Sequence, residues 1–221
     1  MKIDVNGTTI FYEMMGNGPP LLLLHGNGED HHIFDELAVK LRDHFTVYAI
    51  DSRNHGQSEK SEDFSYQTMT GDVYCLIEAL ALKKVKIIGF SDGAILALLL
   101  ALDHPEVLEK MALLGINLSP KDFTEESYRF IRETFEETKD PLFKMMMEQP
   151  NITLNEVRCV NIPTLVIAGE DDIFRPDTFP ALADALPDAE LKIMSGHGHD
   201  TYIANRDILY PDLLVFFARE G

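Results

Sequence analysis

The sequence is poor in basic residues, and this limits what the protein can bind. It has 19 lysine and arginine residues against 37 aspartate and glutamate residues, a formal net charge of −18 at neutral pH. Such a charge repels nucleic acids and anionic lipid surfaces, and it disfavours highly phosphorylated substrates unless a local basic site exists. No such site stands out. We therefore expect a small-molecule partner, with no nucleic acid and no membrane.

Cysteines and long apolar runs are also scarce. Cys75 and Cys159 lie in apolar contexts without CxxC spacing, which favours buried free thiols over a disulfide or a metal pair and fits a reducing cytoplasm. The apolar runs fall well short of the roughly 18 residues of a membrane span, and no secretory apolar region precedes the first turn. No repeat or linker divides the 221 residues. We expect one cytoplasmic domain over 1–221, and the oligomeric state stays open.

Strand and helix patterns alternate along the chain. A hairpin over 2–14 turns at "NG", and "PPLLLL", "FTVYAID", "VKII", "LEKMALLGI", "PTLVIAGE" and "AELKIM" read as further strands, the last ending near Met194. Helices are predicted from about Ile33 to Leu41, from Tyr66 to Leu82 and from Ala94 to Leu102. This alternation favours an α/β fold with a mostly parallel sheet covered on both faces and ligands at the carboxyl ends of its strands.

One segment interrupts the alternation. Residues 119–157 are charged, aromatic and helical in character, without a strand pattern. Their apolar positions fall near helical spacing, which fits either an ordinary amphipathic face or a small helical lid. Because the segment lies between two strands at the edge where ligands bind, we interpret it as a lid insertion within the single domain.

The stretch "VKIIGFSDGAIL" carries a serine between two glycines where a strand passes into a helix. A turn this tight forces the residue at its tip into a strained conformation and lifts its side chain clear of the sheet. The flanking Gly89 and Gly93 are needed because a Cβ at either position would meet the neighbouring strand or helix. Ser91 then stands at a helix N-terminus, where free N–H groups favour negative charge. This makes Ser91 the candidate nucleophile.

Five signals together resemble the α/β-hydrolase superfamily. They are "HGNG" after the third strand, "DSRNHGQS" after the fourth, "GFSDG" after the fifth, "GEDD" after the seventh and a histidine after the eighth. The resemblance covers nearly the whole chain and keeps the order serine, acid, histidine that this fold uses. It implies an α/β-hydrolase fold with a short lid and hydrolysis by a Ser-His-Asp triad. It does not specify the substrate.

A serine hydroxyl needs a histidine to take its proton and an acid to orient that histidine. The family pattern places the acid three residues after the glycine of "GEDD", which selects Asp172 over Asp171. "MSGHGHD" offers two bases. We favour His199 over His197, because His197 lies too near the expected strand end to reach the serine, whereas Gly198 lets the chain turn and the family shows "GH" there.

The oxyanion intermediate needs preorganised donors. We expect them to be the backbone N–H groups of Asp92, directly after the serine, and of Asn27, after "HG". The Asp92 carboxylate has two readings. It either faces the pocket and favours a cationic or amine-bearing substrate, or it is a first-turn acid stabilised by the helix dipole.

Other histidines need no catalytic role. His55 precedes the serine, against the order of the fold, so we interpret "DSRNHGQS" as a structural loop. A catalytic zinc site can be assembled from "HGHD" plus "DHH", but it lacks a recognisable ligand spacing and leaves the serine turn unexplained. We expect no metal and no cofactor.

The sequence therefore predicts a serine hydrolase, with a carboxylesterase acting on small esters as the leading hypothesis. Carbon–carbon, amide or thioester cleavage, or acyl transfer, would use the same triad, because specificity depends on the lid and pocket. A non-catalytic ligand-binding protein on the same scaffold is the alternative from a different class. Dehalogenase or epoxide hydrolase chemistry is disfavoured because the turn carries serine instead of aspartate.

Overall fold

A computed structural model describes residues 1–219. It contains eight strands in one sheet: β1 Lys2–Val5, β2 Thr8–Met15, β3 Pro20–Leu24, β4 Thr46–Asp51, β5 Val85–Phe90, β6 Leu108–Leu114, β7 Thr164–Asp171 and β8 Ala189–Gly198. The spatial order is β1-β2-β4-β3-β5-β6-β7-β8. The β1–β2 and β2–β4 pairs are antiparallel and all the others are parallel. The predicted mostly parallel sheet is confirmed.

Residues 1–219 contain eight α-helices: α1 Asp35–Leu41, α2 Tyr66–Ala79, α3 Asp92–Asp103, α4 Glu125–Thr138, α5 Pro141–Glu148, α6 Leu154–Val157, α7 Thr178–Ala185 and α8 Tyr210–Ala218. Short 3₁₀ turns cover His31–Phe34, Pro105–Val107 and Pro120–Asp122. None of the helices over residues 1–219 is long and apolar enough to cross a membrane.

The two faces of the sheet have separate hydrophobic cores, and the leucine run of β3 shows why. Successive side chains of a strand point to opposite faces, so an unbroken apolar run serves a sheet that is buried on both sides. Leu22 and Leu24 belong to the core that packs against α2 and α3. Leu21 and Leu23 belong to the core that packs against α1 and α8.

Three local expectations were wrong. Helix α2 ends at Ala79 instead of Leu82, since Ala81 has a φ of 52°, a left-handed conformation that a helix cannot continue through. Strand β8 continues to Gly198 instead of ending near Met194, because a bulge in its pairing with β7 lets Gly198 face Asp171. Cys159 is exposed and Cys75 is half-buried, although both are free thiols as predicted.

Residues 119–157 form a helical insertion between β6 and β7, built from one 3₁₀ turn and helices α4 to α6. We call residues 119–157 the insertion. Gln149 ties its end to the start of α2: its Oε1 accepts from the Tyr66 N–H at 3.2 Å and its Nε2 donates to Phe64 O at 3.2 Å. That the insertion works as a lid stays a prediction.

Candidate active site

The serine turn joins β5 to α3 with no room for side chains on its glycines. Ser91 has φ 52° and ψ −115°, a conformation that L-residues rarely adopt. A Cβ on Gly89 would lie 2.3 Å from Gly93 O, and a Cβ on Gly93 would lie 2.0 Å from Leu24 O. The steric role predicted for the two glycines is confirmed, and the strained turn holds Ser91 at the carboxyl edge of the sheet.

Ser91, His199 and Asp172 meet in a chain of hydrogen bonds. Ser91 Oγ lies 3.1 Å from His199 Nε2, and His199 Nδ1 lies 2.8 Å from Asp172 Oδ1. Because a carboxylate only accepts, Nδ1 carries the proton of the neutral ring and Nε2 is free to accept the serine proton. The two side chains favoured for base and acid are therefore the two that the fold brings to Ser91.

Residues of three other elements pack against His199 on three sides. Its ring centroid lies 4.9 Å from that of Phe90 and 5.3 Å from that of Phe174. Gly115, with a φ of 56°, supplies the third side, because a Cβ there would lie 2.8 Å from His199 Cε1. Neither Phe174 nor Gly115 was foreseen. A glycine directly after β6 is the only sequence signal that pointed toward the latter.

The hydrogen bonds of Asp172 distinguish it from the adjacent acids Glu170 and Asp171. Its side chain is 2 % exposed, and it accepts from the Gly169 N–H at 3.3 Å and the Phe174 N–H at 3.4 Å. Asp171 is exposed and lies at the end of β7, opposite Gly198. Glu170 accepts from Ser195 Oγ and the Gly196 N–H, each at 2.8 Å. Only Asp172 reaches the histidine.

His197 does not contact the serine. His197 lies in β8, and its Nδ1 is 3.1 Å from Thr201 Oγ1 in the loop that follows the strand. The argument from chain reach assumed a strand ending at Met194, whereas β8 runs to Gly198. His199 is thus the first residue after the strand, and it is the end of the strand itself that carries it toward Ser91.

The loop between β3 and α1 lies against the serine. A Cβ on Gly26 would be 3.0 Å from Ser91 Cβ, so the chain at Gly26, directly before Asn27, lies against the serine. Within residues 1–219 no backbone carbonyl accepts from the N–H of Asn27 or of Asp92. The two amides are therefore compatible with the predicted role of oxyanion donors, which stays a prediction.

His25 holds this loop in place as a neutral ring. Its Nδ1 lies 2.7 Å from Gly26 O, and its Nε2 accepts from the Ser52 N–H at 3.0 Å. Burial, assisted by the nearby His55, lowers the pKa of His25 from 6.5 to about 4. A ring that donates through one nitrogen and accepts through the other must stay neutral, which agrees with that direction.

The Asp92 carboxylate points into the protein. Its Oδ1 accepts from Tyr66 OH at 2.7 Å and its Oδ2 accepts from Asn27 Nδ2 at 3.0 Å. Burial raises its pKa, although these two hydrogen bonds oppose the shift. With both oxygens occupied internally, the hypothesis that Asp92 recognises a cationic substrate loses its basis. The carboxylate instead fixes the side chain of Asn27, the residue predicted to supply the second oxyanion donor.

Sequence reasoning missed Glu29. Its Oε2 accepts from the Gly26 N–H at 2.9 Å, and burial raises its pKa from 4.5 to about 7. The charges of His199, Asp200 and Asp92 act on it, so it belongs to the electrostatic surroundings of the site. No local pattern distinguishes it from the other acids of a strongly acidic chain.

The "DSRNHGQS" loop is held by internal contacts. Arg53 forms a buried ion pair with Asp72, with Nε to Oδ2 and Nη2 to Oδ1 both at 2.6 Å. His55 Nδ1 lies 2.9 Å from Arg53 O, and the His55 ring lies against His25 with centroids 5.0 Å apart. These contacts agree with the structural role predicted for the loop.

The two halves of the zinc pattern lie in different places. Asp30, His31 and His32 come together, with one candidate ligand atom of each within 4.8 Å of the others. His199 is bonded to Asp172 and Ser91 instead. The catalytic zinc site that would have joined "HGHD" to "DHH" is therefore not assembled among the described residues.

The insertion has a cavity of its own, which Ser91, His199 and Asp172 do not line, and it contacts residues next to the site. The cavity, of about 600 Å³, is lined by Phe123, Tyr128 and Met147 among others. Phe123 packs on Phe174 with ring centroids 4.8 Å apart, and Phe174 in turn packs on His199. Asn27 Nδ2 also lies 3.4 Å from Leu142 O of α5. The insertion thus borders both the histidine and the proposed oxyanion loop.

Comparison with known proteins identifies the class to which this fold and site belong. The family model described as alpha/beta hydrolase fold matches residues 19–143. That is more than half of the chain, and the chain belongs to this family.

Individual relatives agree with the family. A putative esterase/lipase of Haemophilus influenzae is 37% identical over 107 residues, 48% of this chain and 37% of that protein. The chain spans about two-fifths of the length of the curated relatives it matches. Among solved structures, the meta-cleavage product hydrolase CumD of Pseudomonas fluorescens superimposes with a TM-score of 0.82 at 21% identity, covering 98% of this chain and 97% of that one. The enol-lactonase of Burkholderia xenovorans gives 0.82 at 22%, covering 99% and 100%.

Proposed function

We propose that the protein is a serine hydrolase that cleaves small carboxylic esters through an acyl-enzyme. The observation that carries this proposal is the chain of hydrogen bonds from Ser91 through His199 to Asp172, with the serine held on a strained turn. The three side chains come from three separate loops, and the order nucleophile, base and acid in one hydrogen-bonded chain is the arrangement that nucleophilic catalysis needs. A purely ligand-binding protein would not need it.

In the first half of the reaction, Ser91 Oγ attacks the ester carbonyl while its proton passes to His199 Nε2. Asp172 accepts from Nδ1–H and stabilises the imidazolium that forms. The negative charge that develops on the carbonyl oxygen is met by the free N–H groups of Asn27 and Asp92. Collapse of the intermediate breaks the bond to the leaving alcohol, which takes the proton from Nε2.

In the second half, water attacks the acyl-serine and His199 takes a proton from that water. The same two amides stabilise the second oxyanion. When this intermediate collapses, Ser91 regains its proton and the carboxylic acid leaves. The imidazole therefore serves both steps, so that loss of His199 must suppress acylation and deacylation together.

The surroundings favour a small and uncharged or weakly charged substrate. Asp172, Asp92 and Glu29 place acidic groups around the serine, and the chain carries a net charge of −18. Anionic acyl groups are repelled from such a site.

The proposal is tested by labelling with a fluorophosphonate probe, followed by a panel of short and long acyl esters. We expect stoichiometric labelling at Ser91, turnover of short esters, and loss of both in Ser91→Ala with an unchanged fold. The loss of turnover should span several orders of magnitude. Absence of labelling would favour the ligand-binding alternative, and labelling without ester turnover would direct the search to amide, thioester or carbon–carbon bonds.

His197 supplies a matched control for the base. His199→Ala should abolish the acylation burst and steady-state turnover, whereas His197→Ala, two residues earlier at the end of β8, should retain both. A variant pair with the opposite behaviour would exchange the two assignments.

A further inference from the structure

A cluster of four potential ligands lies at the start of α1 and takes no part in the proposed hydrolysis. Asp30, His31 and His32 place one candidate ligand atom each within 4.8 Å of the others. Glu13 of β2 adds a fourth, because its Oε1 lies 3.6 Å from His31 Nε2. We call these four residues the Glu13 cluster.

His31 is a buried ring with one nitrogen oriented by a carboxylate and the other facing the cluster. Its Nδ1 lies 2.7 Å from Asp51 Oδ1, and its backbone N–H donates to the same oxygen at 2.9 Å. Because the carboxylate only accepts, Nδ1 carries the proton of the neutral ring and Nε2 keeps its lone pair. The side chain is 2 % exposed, yet Nε2 finds no hydrogen-bond partner within residues 1–219. A buried acceptor left without a donor is unusual.

The remaining members lie close to the His31 ring, and His32 Nδ1 lies 3.0 Å from Asp35 Oδ2, which leaves Nε2 as the candidate ligand atom of His32. The His32 ring lies against that of His31, with centroids 4.0 Å apart. Asp30 caps the 3₁₀ turn by accepting from the His32 N–H at 2.9 Å, which fixes its carboxylate beside the two histidines. The side chains of His32 and Glu13 are 59 % and 45 % exposed, so an ion can enter from solvent.

We propose that the Glu13 cluster binds a divalent transition-metal ion of the zinc class. Imidazole nitrogens and carboxylate oxygens are ligands of zinc, and a ligating histidine almost always donates its other N–H to a carboxylate, as His31 does to Asp51. The sequence alone predicted no metal, because "HGHD" plus "DHH" lacks a recognisable ligand spacing, and Glu13 was not considered. An ion at this position would link β2 to the 3₁₀ turn before α1. It would take no part in the hydrogen bonds that join Ser91, His199 and Asp172.

The test is equilibrium dialysis and calorimetric titration of the full chain with Zn²⁺ alone, at pH 7.5 in a buffer that does not bind metals. We expect saturable binding of one ion per chain, weakened at least tenfold by His32→Ala and by Glu13→Gln. Both side chains are largely solvent-exposed, so these variants should fold normally, which circular dichroism checks. Asp51→Asn should also weaken binding about 10–100-fold, without removing a ligand.

Two controls separate this site from other histidines. His104 forms a comparable histidine and glutamate pair, with Nδ1 3.4 Å from Glu106 Oε1, but lies outside the cluster. His104→Ala and His199→Ala should both retain wild-type zinc affinity. The proposal is overturned if no saturable binding occurs below about 1 mM, if His104→Ala weakens binding as much as His32→Ala, or if His199→Ala alone removes it. None of these outcomes depends on hydrolase activity.

Discussion

Substitution of Tyr66 tests how much its hydrogen bond to Asp92, the residue after the serine, contributes to stability. Its hydroxyl donates to Asp92 Oδ1 at 2.7 Å, with both residues under 5 % exposed. Tyr66→Phe keeps the ring and deletes this bond. A hydrogen bond to a charged acceptor contributes about 1.5–3 kcal/mol to stability. For a chain of this size, each kcal/mol corresponds to a change in Tm of about 2–4 °C, so we expect Tm to fall by roughly 3–12 °C.

Tyr202 provides the matched control. It is 0 % exposed, but its hydroxyl finds no hydrogen-bond partner in the part of the chain that the structure describes. Tyr202→Phe removes a buried polar group that makes no bond, and its expected effect is an unchanged or raised Tm. Both variants remove the hydroxyl of one buried tyrosine, so the difference between their changes in Tm reports on the hydrogen bond to Asp92.

Thermal and urea unfolding at pH 7.5 measure both variants, together with Tyr66→Phe in an Asp92→Asn background. A neutral acceptor should reduce the cost of losing the hydroxyl to about 0.5–1.5 kcal/mol. If Tyr66→Phe and Tyr202→Phe change stability equally, or if the Tyr66→Phe cost is the same in both backgrounds, the carboxylate is not the partner that makes this hydroxyl stabilising.

Three further changes test the acid, the electrostatics and the turn. Asp172→Asn should lower kcat by orders of magnitude through loss of the His199 orientation, whereas Asp171→Asn, exposed and adjacent, should lower it little; the reverse order would move the acid by one residue. Glu29 has a folded pKa of about 7 against 4.5, so its ionisation costs stability as the pH rises from about 4.5 to 7. The free energy of unfolding of Glu29→Gln, measured by urea unfolding, should therefore rise relative to that of the wild type by up to about 3 kcal/mol across that window. A difference that does not change with pH would contradict the raised pKa. Gly93→Ala should lose at least about 1–3 kcal/mol and most activity, because the new Cβ would lie 2.0 Å from Leu24 O, while Gly198→Ala, with its nearest atom at 3.5 Å, should fold normally; equal behaviour would remove the steric argument.

Local chemistry explains which parts of the fold were predictable. The leucines of β3 and the β-branched residues of β5 favour buried strands wherever they occur, and Asn6-Gly7 turns a hairpin through its own positive φ angles. The serine turn was equally predictable, since it needs only Gly89 and Gly93 at fixed spacing. These features depend on residues close together in the chain.

Features that depend on distant partners were not predictable. The extension of β8 to Gly198 arises from a bulge in its pairing with β7, and no residue pattern within β8 indicates it. The inward turn of the Asp92 carboxylate requires Tyr66, 26 residues earlier. Glu29 becomes unusual only through burial near His199 and Asp92, which belong to other elements. In each case the deciding atom belongs to another element, and a single sequence does not state which elements will meet.

The conformation of Ser91 has a consequence for the stability of the whole chain. A non-glycine residue held at a φ of 52° and a ψ of −115° costs on the order of 1–3 kcal/mol, a noticeable share of the roughly 5–15 kcal/mol that keeps a domain folded. Selection for robustness alone would place glycine at this position. Serine at this position therefore lowers the stability of the fold, and we attribute its presence to the proposed activity, which depends on it.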